Sequence, residues 1–294
     1  MSQYQRLLLI TNPLLRQSSA LNHAAALAKA SGAGLHILAL MPSLKGLSLL
    51  EEGNRAQARE SFLQEHRQML DAQVDNLRSR RIEVTSQVVW AQDIERDILQ
   101  HVAEYRPDLL IKEIEQVSSL KRAFFTPLDW HLLRHCPVPI YLVGGNGYVL
   151  PRKVVAAVEV SDSESADSEL NERIIRQANA LAIQCDAELH LVSACDLSAA
   201  YLADMGGFPL ADLTRAMRDD MQKAFLHLAS RFGVPSECRH FIDGQPVNVL
   251  SQFAEERHVD VIVMGRVQSR GLSKLLGSTT EHILYQVPCC VLAV

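Results

Sequence analysis

The stretch Asp108-Leu-Leu-Ile-Lys112 returns as Asp260-Val-Ile-Val-Met264. Working outward, Arg6-Leu-Leu-Leu-Ile-Thr-Asn12 is matched by Lys153-Val-Val-Ala-Ala-Val-Glu159. Gly34-Leu-His-Ile-Leu38 is matched by Glu188-Leu-His-Leu-Val192, and Arg134-His-Cys-Pro137 by Tyr285-Gln-Val-Pro288, each of the latter followed by an apolar run. The order is preserved and the offset stays between 147 and 154 residues. A period of that size, written twice, is one domain duplicated. The expected domains are 1–146 and 150–294, joined near Gly144-Gly-Asn-Gly147, where glycines and the following Pro151 read as a linker.

Within a copy, short Val/Ile/Leu runs alternate with segments of helical period. In the first, strands are expected near 6–11, 34–40, 83–90, 108–112 and 138–143, with helices near 17–31, 54–80, 92–105 and 127–135. Strands apolar on both faces and separated by helices call for a parallel sheet covered on both sides. Right-handed crossovers then make each copy a doubly wound α/β domain. The expectation is two tandem five-stranded sheets of order 3-2-1-4-5. Thr126-Pro127-Leu-Asp129 and Ser278-Thr-Thr-Glu281 read as equivalent helix starts, the second a capping box. The last strands, PIYLV and CCVLAV, are apolar edges that invite pairing, so an internal pseudo-dimer of the two copies is expected. Whether the tandem chain forms a homodimer as well is open.

The 294 residues carry 29 basic and 34 acidic side chains, a net charge of −5 that excludes a globally basic nucleic-acid binder. Aromatic content of 5% leaves few platforms for stacking single-stranded bases. Hydrophobic content of 48% excludes a disordered chain, yet no apolar run reaches the ~18–20 residues that span a bilayer. The start, MSQYQRLLLITNP, lacks a basic segment and a cleavage site and reads as a first strand rather than a signal peptide. The six cysteines have no CxxC spacing and are expected reduced and buried, as in a cytoplasmic protein.

Ligands of open parallel sheets bind beyond the carboxyl ends of the strands, near the loops after the first and fourth. In the second copy the latter loop runs from Met264 through Gly265, Arg266, Gln268, Arg270, Gly271, Lys274 and Gly277 to Ser278. Glycines let backbone N–H groups approach an anion, and a helix N-terminus adds its positive end. The candidate nucleotide or anion site comprises Glu159, Ile242, Met264, Gly265, Arg266, Gly271, Gly277, Ser278 and Thr279. The plainer reading has these glycines serving chain turns and Ser278 capping its helix. The acidic run Asp162, Glu164, Asp167 and Glu169 reads as favourable charge at a helix start.

This pattern of strand, Met-Gly, loop, Gly-Ser and helix, with its terminal Pro-Cys strand, resembles the universal stress protein family over the whole chain. Phe124-Phe-Thr-Pro-Leu-Asp-Trp-His-Leu-Leu-Arg-His-Cys-Pro137 is similar to the tandem E-type group of that family. The resemblance implies a cytosolic stress-response protein, with ATP bound in some members and not in others. It implies too that single-copy relatives dimerise. ATP-binding members carry G-x2-G-x9-G-[ST] in this loop and an aspartate ending the first strand. In the second copy Gly265, Gly277 and Ser278 match, Gln268 replaces the middle glycine, the second gap is one residue short, and Glu159 replaces the aspartate. In the first, Glu113, Gln116 and Phe125 stand at the glycine positions and Asn12 at the aspartate. ATP or another adenine nucleotide is therefore expected, if anywhere, in the second copy alone.

No GxSxG elbow or paired Cys–His nucleophile stands out, so no catalytic residue is nominated. His131, His135 and Cys136 share helical spacing, but two helix-end histidines are the simpler reading than a metal centre. His36 and His190 recur at equivalent strand positions and read as packing or hydrogen-bonding choices. Tyr201–Leu210 is long for a connection and is a candidate cover for a pocket or partner. The leading expectation is a non-enzymatic binding or regulatory module. Its alternative is a genuine ATP/AMP binder with slow hydrolysis.

Overall fold

The computed structural model describes residues 4–11, 18–41, 51–114, 128–145, 147–160, 166–197, 211–268, 275–276 and 283–294. The chain divides into two units, Met1–Val143 and Gly144–Val294. The first contains β1 (Arg6–Thr11), α1 (Ser19–Ser31), β2 (Gly34–Met41), α2 (Glu52–Ser79), β3 (Val84–Trp90), α3 (Ile94–Tyr105), β4 (Leu109–Glu113), α4 (Leu128–His135) and β5 (Ile140–Val143). The second contains β6 (Lys153–Ala157), α5 (Ala166–Cys185), β7 (Glu188–Cys195), α6 (Ala211–Arg231), β8 (Arg239–Asp243), α7 (Pro246–Glu256) and β9 (Val261–Met264). A short β10 (Val267–Gln268) pairs antiparallel with β11 (Leu275–Leu276), and β12 (Cys290–Ala293) follows.

Within the first unit the strand order is β3-β2-β1-β4-β5, and within the second β8-β7-β6-β9-β12. The pairings inside each of these sheets are parallel. Continuous apolar runs produce this arrangement because both faces of the central strands are covered: Leu7, Leu8, Leu9, Leu109, Leu110 and Ile111 have no exposed surface. In α1 the buried residues Ala20, Ala24, Leu27 and Ala28 follow helical spacing and are mostly small, letting the helix lie close to β1 and β4. In α3 and α7 the buried pairs Ile98/Val102 and Leu250/Ala254 occupy the same turn of equivalent helices.

The duplication extends to backbone strain. Each copy ends three helices on a residue in the left-handed region. Gly32 (φ 72°) corresponds to Asp186 (φ 53°), Arg81 (φ 63°) to Gly233 (φ 64°), and Arg106 (φ 51°) to His258 (φ 53°). At the Arg81/Gly233 pair the closing bond is shared as well: Ile82 N–H reaches Leu77 O at 3.2 Å, and Val234 N–H reaches Ala229 O at 3.1 Å. Glycine adopts this conformation without the Cβ–carbonyl clash that other residues meet. Arg81→Gly should therefore stabilise the first unit by about 0.5–1 kcal/mol. Asp186→Gly should stabilise the second by less, because Asp tolerates the region better. Urea midpoints check this; a loss of stability in Arg81→Gly would contradict it.

The Gly144–Gly147 segment, which composition reads as a linker, is fastened to the second unit. Gly145 has φ 69°, and a Cβ there would lie 1.9 Å from the carbonyl oxygen of Pro288. Asp260, almost fully buried, accepts hydrogen bonds from the N–H groups of Tyr148 (3.1 Å), Arg152 (2.8 Å) and Lys153 (3.0 Å). The Arg152 guanidinium stacks 3.7 Å from the Tyr148 ring centroid. Asp108 repeats the motif in the first unit, accepting from the N–H groups of Gln5 and Arg6, both at 2.8 Å. The repeated aspartate that begins each Asp-apolar run thus ties the fourth strand to the start of the first.

Five of the six cysteines are buried, Cys238 is half-buried, and none forms a disulfide. Burial pushes the Cys185 thiol up to about 12, so it behaves as a small apolar side chain. Among the described residues no helix is long and apolar enough to cross a membrane. The two helix starts read from Thr126–Asp129 and Ser278–Glu281 fall largely outside the described residues, as do Asn12, Gln116, Phe125 and Tyr201–Leu210.

Candidate functional site

At the carboxyl end of β6, Glu159 is exposed while its main chain is fixed by Asn171 of α5. Glu159 N–H donates to Asn171 Oδ1 at 3.1 Å, and Asn171 Nδ2 donates to Glu159 O at 2.6 Å. Asn171 is itself almost fully buried, so it holds the strand end in one direction. Nothing in local pattern marked it, because the clamp joins residues twelve positions apart across a loop.

Met264 is buried at the end of β9, and Gly265 and Arg266 follow it half-buried. A Cβ on Gly265 would lie 2.8 Å from Leu170 Cδ2 on α5. Gly265 thus packs against the flexible end of the Leu170 side chain. Arg266 N–H donates to Val294 O at 3.0 Å, and the chain then enters the β10–β11 hairpin. Gly271, Gly277, Ser278 and Thr279 lie outside the described residues, as does most of the acidic run after Glu159.

The first unit treats the corresponding positions differently. Glu113 stands where Gly265 stands, and Ser18 Oγ donates to its carboxylate at 2.9 Å. Ser18 is the N-cap of α1, yet its hydroxyl makes no capping bond and is turned to Glu113 instead. Lys112 stands where Met264 stands. Its ammonium lies 2.9 Å from Asp129 of α4 and donates to Glu113 O at 3.0 Å. Asp129 has no exposed side-chain surface and Lys112 only 7%. The carboxyl end of β4 is thus occupied by the chain's own buried ion pair and carboxylate.

The second unit has a cavity of about 490 Å³ at a different place in the fold, beyond the ends of β7 and β8, the counterparts of β2 and β3, and beside α6. It is lined by Cys195, Asp196, Leu197, Thr214, Arg218, Asp243, Gly244 and Gln245. Gly244 N–H bonds to Cys195 O at 2.9 Å and joins the two strand ends. At φ 140° and with Val249 Cγ2 3.0 Å from a Cβ position, Gly244 has no room for a side chain. Arg218 grips Asp243 with two bonds, Nε to Oδ1 at 2.8 Å and Nη2 to Oδ2 at 3.0 Å, and Nη1 reaches Gln222 Oε1 at 3.2 Å. Of the nominated residues that are described, none lines this cavity; Ile242, half-buried on β8, immediately precedes Asp243. The available signal was the long connection after β7, since Leu197 and Thr214 flank it on either side.

The histidines serve packing. His36 Nδ1 meets Thr85 Oγ1 at 2.8 Å across β2 and β3. His190 Nδ1 meets His240 Nε2 at 3.0 Å, with the His240 ring 4.7 Å from Phe253 of α7. Burial pushes His240 down to about 4 and lowers His190 as well, so the pair is neutral at pH 7. His131 Nδ1 lies 2.8 Å from Glu95, and His135 Nδ1 lies 3.0 Å from the carbonyl of His131. Among the described residues no three His, Cys, Asp or Glu side chains are placed to share a metal ion.

The universal stress protein family matches the chain over residues 3–144 and again over 151–294. "Universal stress protein E" of Photorhabdus laumondii is 30% identical over 302 aligned positions, covering all of this chain and 96% of its own. The "Universal stress protein E homolog" of Haemophilus influenzae is 27% identical, covering 99% of this chain and 97% of its own. A functionally unknown protein of Pseudomonas aeruginosa superposes with a TM-score of 0.77 at 23% identity, over 99% of this chain and 92% of its own, and shows the fold alone. The chain belongs to the universal stress protein family and carries two copies of its domain.

Proposed function

We propose that this tandem member of the universal stress protein family is a non-enzymatic binding and regulatory module of the stress response. Its second domain holds the ligand pocket and its first serves as scaffold. The observation that carries this reading is the cavity of the second domain, lined from Cys195 to Gln245 beyond β7 and β8. In the first domain Lys112–Asp129 and Ser18–Glu113 occupy the end of β4, where the second carries Met264 and Gly265 at the end of β9. Six cysteines with no disulfide among them fit a reducing compartment, in keeping with the cytoplasm.

An adenine nucleotide is the ligand class that the family resemblance suggests. The fit is uneven. At the cavity, Asp196, Asp243 and Gln245 offer acceptors for the exocyclic amino group of an adenine beside Leu197. At the β9 loop, Gly265 packs against Leu170 of α5, and Gln268 stands where the middle glycine of the family motif would be. A pocket for a base with a weakened phosphate loop is what these two observations support.

The alternative is genuine ATP/AMP binding with slow hydrolysis, favoured by Arg266 following Gly265 and by Arg270 and Lys274 in the same loop. Isothermal titration of the full chain with ATP, ADP and AMP separates the two. The first reading expects weak binding, one site per chain, little affected by Mg²⁺. Tight Mg²⁺-dependent ATP binding, lost in Gly277→Glu, would establish the alternative. Two sites per chain would overturn the assignment of the first domain as scaffold.

A further inference from the structure

We infer that the cavity beyond β7 and β8 selects an uncharged, N–H-donating ring over its phosphorylated forms, with the Arg218–Asp243 pair setting the preference. This rests on the reading of that cavity as the ligand pocket. Its charged lining residues are Asp196, Asp243 and Arg218, one net negative charge. Burial holds the Cys195 thiol protonated, so it adds none.

Arg218 is the lining cation, and its Nε–Nη2 edge is engaged, in a pair whose side chains are 36% and 62% exposed. Nε and Nη2 are held by the two oxygens of Asp243, and Nη1 by Gln222. A bidentate guanidinium–carboxylate pair is the geometry a phosphate would need for itself. To use that edge a phosphate would have to displace Asp243, and at the remaining N–H groups it would meet the guanidinium with its charge already balanced by the Asp243 carboxylate beside it. Asp243, by contrast, keeps acceptor capacity beyond the two bonds from Arg218, since each ionised oxygen has two lone pairs.

The N-terminus of α7 begins at the same rim, and helix N-termini favour anions. Here Pro246 at the first position removes one donor, and the Asp243 carboxylate lines the same cavity. Leu197 and Cys195 give the apolar surface against which a planar ring packs; a hydrated ammonium ion would gain nothing from them.

The test is titration of the full chain with adenosine, AMP and ATP under identical buffer. Adenosine should bind best, AMP roughly tenfold more weakly and ATP more weakly again. Asp243→Asn, which releases Arg218 and removes one negative charge, should shrink the adenosine–AMP ratio to below about threefold or reverse it. Arg218→Gln should widen it. If either variant loses its far-ultraviolet dichroism, Asp196→Asn replaces it, since that change removes the other carboxylate without touching the ion pair; it too should shrink the ratio. AMP or ATP binding as tightly as adenosine, or a ratio unmoved by the substitutions, overturns the charge argument and leaves the cavity a ligand site. No response to any of the three compounds overturns the cavity reading and this inference with it.

Discussion

Asp129→Ala should destabilise the first domain by about 3–5 kcal/mol, because it removes one partner of a buried ion pair. The two groups are 2.9 Å apart, with 7% and 0% of their side chains exposed. Lys112 also donates to the Glu113 carbonyl at 3.0 Å. A neutral acceptor cannot replace a carboxylate for a desolvated cation. The companion double variant, Lys112→Met with Asp129→Leu, should recover most of the loss. Replacing a whole buried pair by apolar groups of similar volume is often neutral or stabilising. Methionine is moreover what the second copy carries at the same place, as Met264. Because the chain has two units, the readout should be local: hydrogen exchange of β4 and α4, with the second domain unchanged. A loss below about 1 kcal/mol in Asp129→Ala would mean that water reaches the ammonium and that the pair is not the buried plug described here.

That plug marks the limit of what the sequence makes legible. The strands could be read within about two residues because buried parallel strands leave unbroken apolar runs, and their order of appearance in both copies located the duplication. Glu113 in place of a loop glycine was legible too, as a residue too large and of the wrong charge for a phosphate cradle. That it accepts from Ser18, and that Lys112 beside it finds Asp129, was not. Those partners are far apart in the chain, and a lone Lys in a strand reads the same whether it is buried or edge-exposed. The cavity was hidden for a related reason: its lining comes from the ends of two strands, one face of α6 and the start of α7, and no spacing rule joins them. Its one trace was the length of the connection after β7.

Asp260 belongs with those hidden partnerships, and its removal carries the second large expected effect. Asp260→Ala should cost the second domain at least about 3 kcal/mol, since three backbone N–H groups lose a charged acceptor at once. They are Tyr148, Arg152 and Lys153, at 3.1, 2.8 and 3.0 Å. Two neighbours leave the chain no easy way to re-satisfy them. Gly145 is wedged against the Pro288 carbonyl, and Lys153 is already registered on β9 through Asp260 N–H to Lys153 O at 3.1 Å. Asp108→Ala is the internal control. It removes the same motif from the first domain, but only two N–H groups depend on it, and it is less buried. Its cost should be smaller by about 1 kcal/mol or more. Asp260→Asn, which keeps an acceptor but not the charge, should fall between Asp260→Ala and the parent. At 1.4 kcal/mol per tenfold change, amides of β6 and β9 in Asp260→Ala should exchange roughly a hundredfold faster, those of β1 and β4 at the parent rate. If Asp260→Ala costs no more than Asp108→Ala, the 144–153 segment is held by its apolar and glycine contacts, and the buried aspartate only accompanies them.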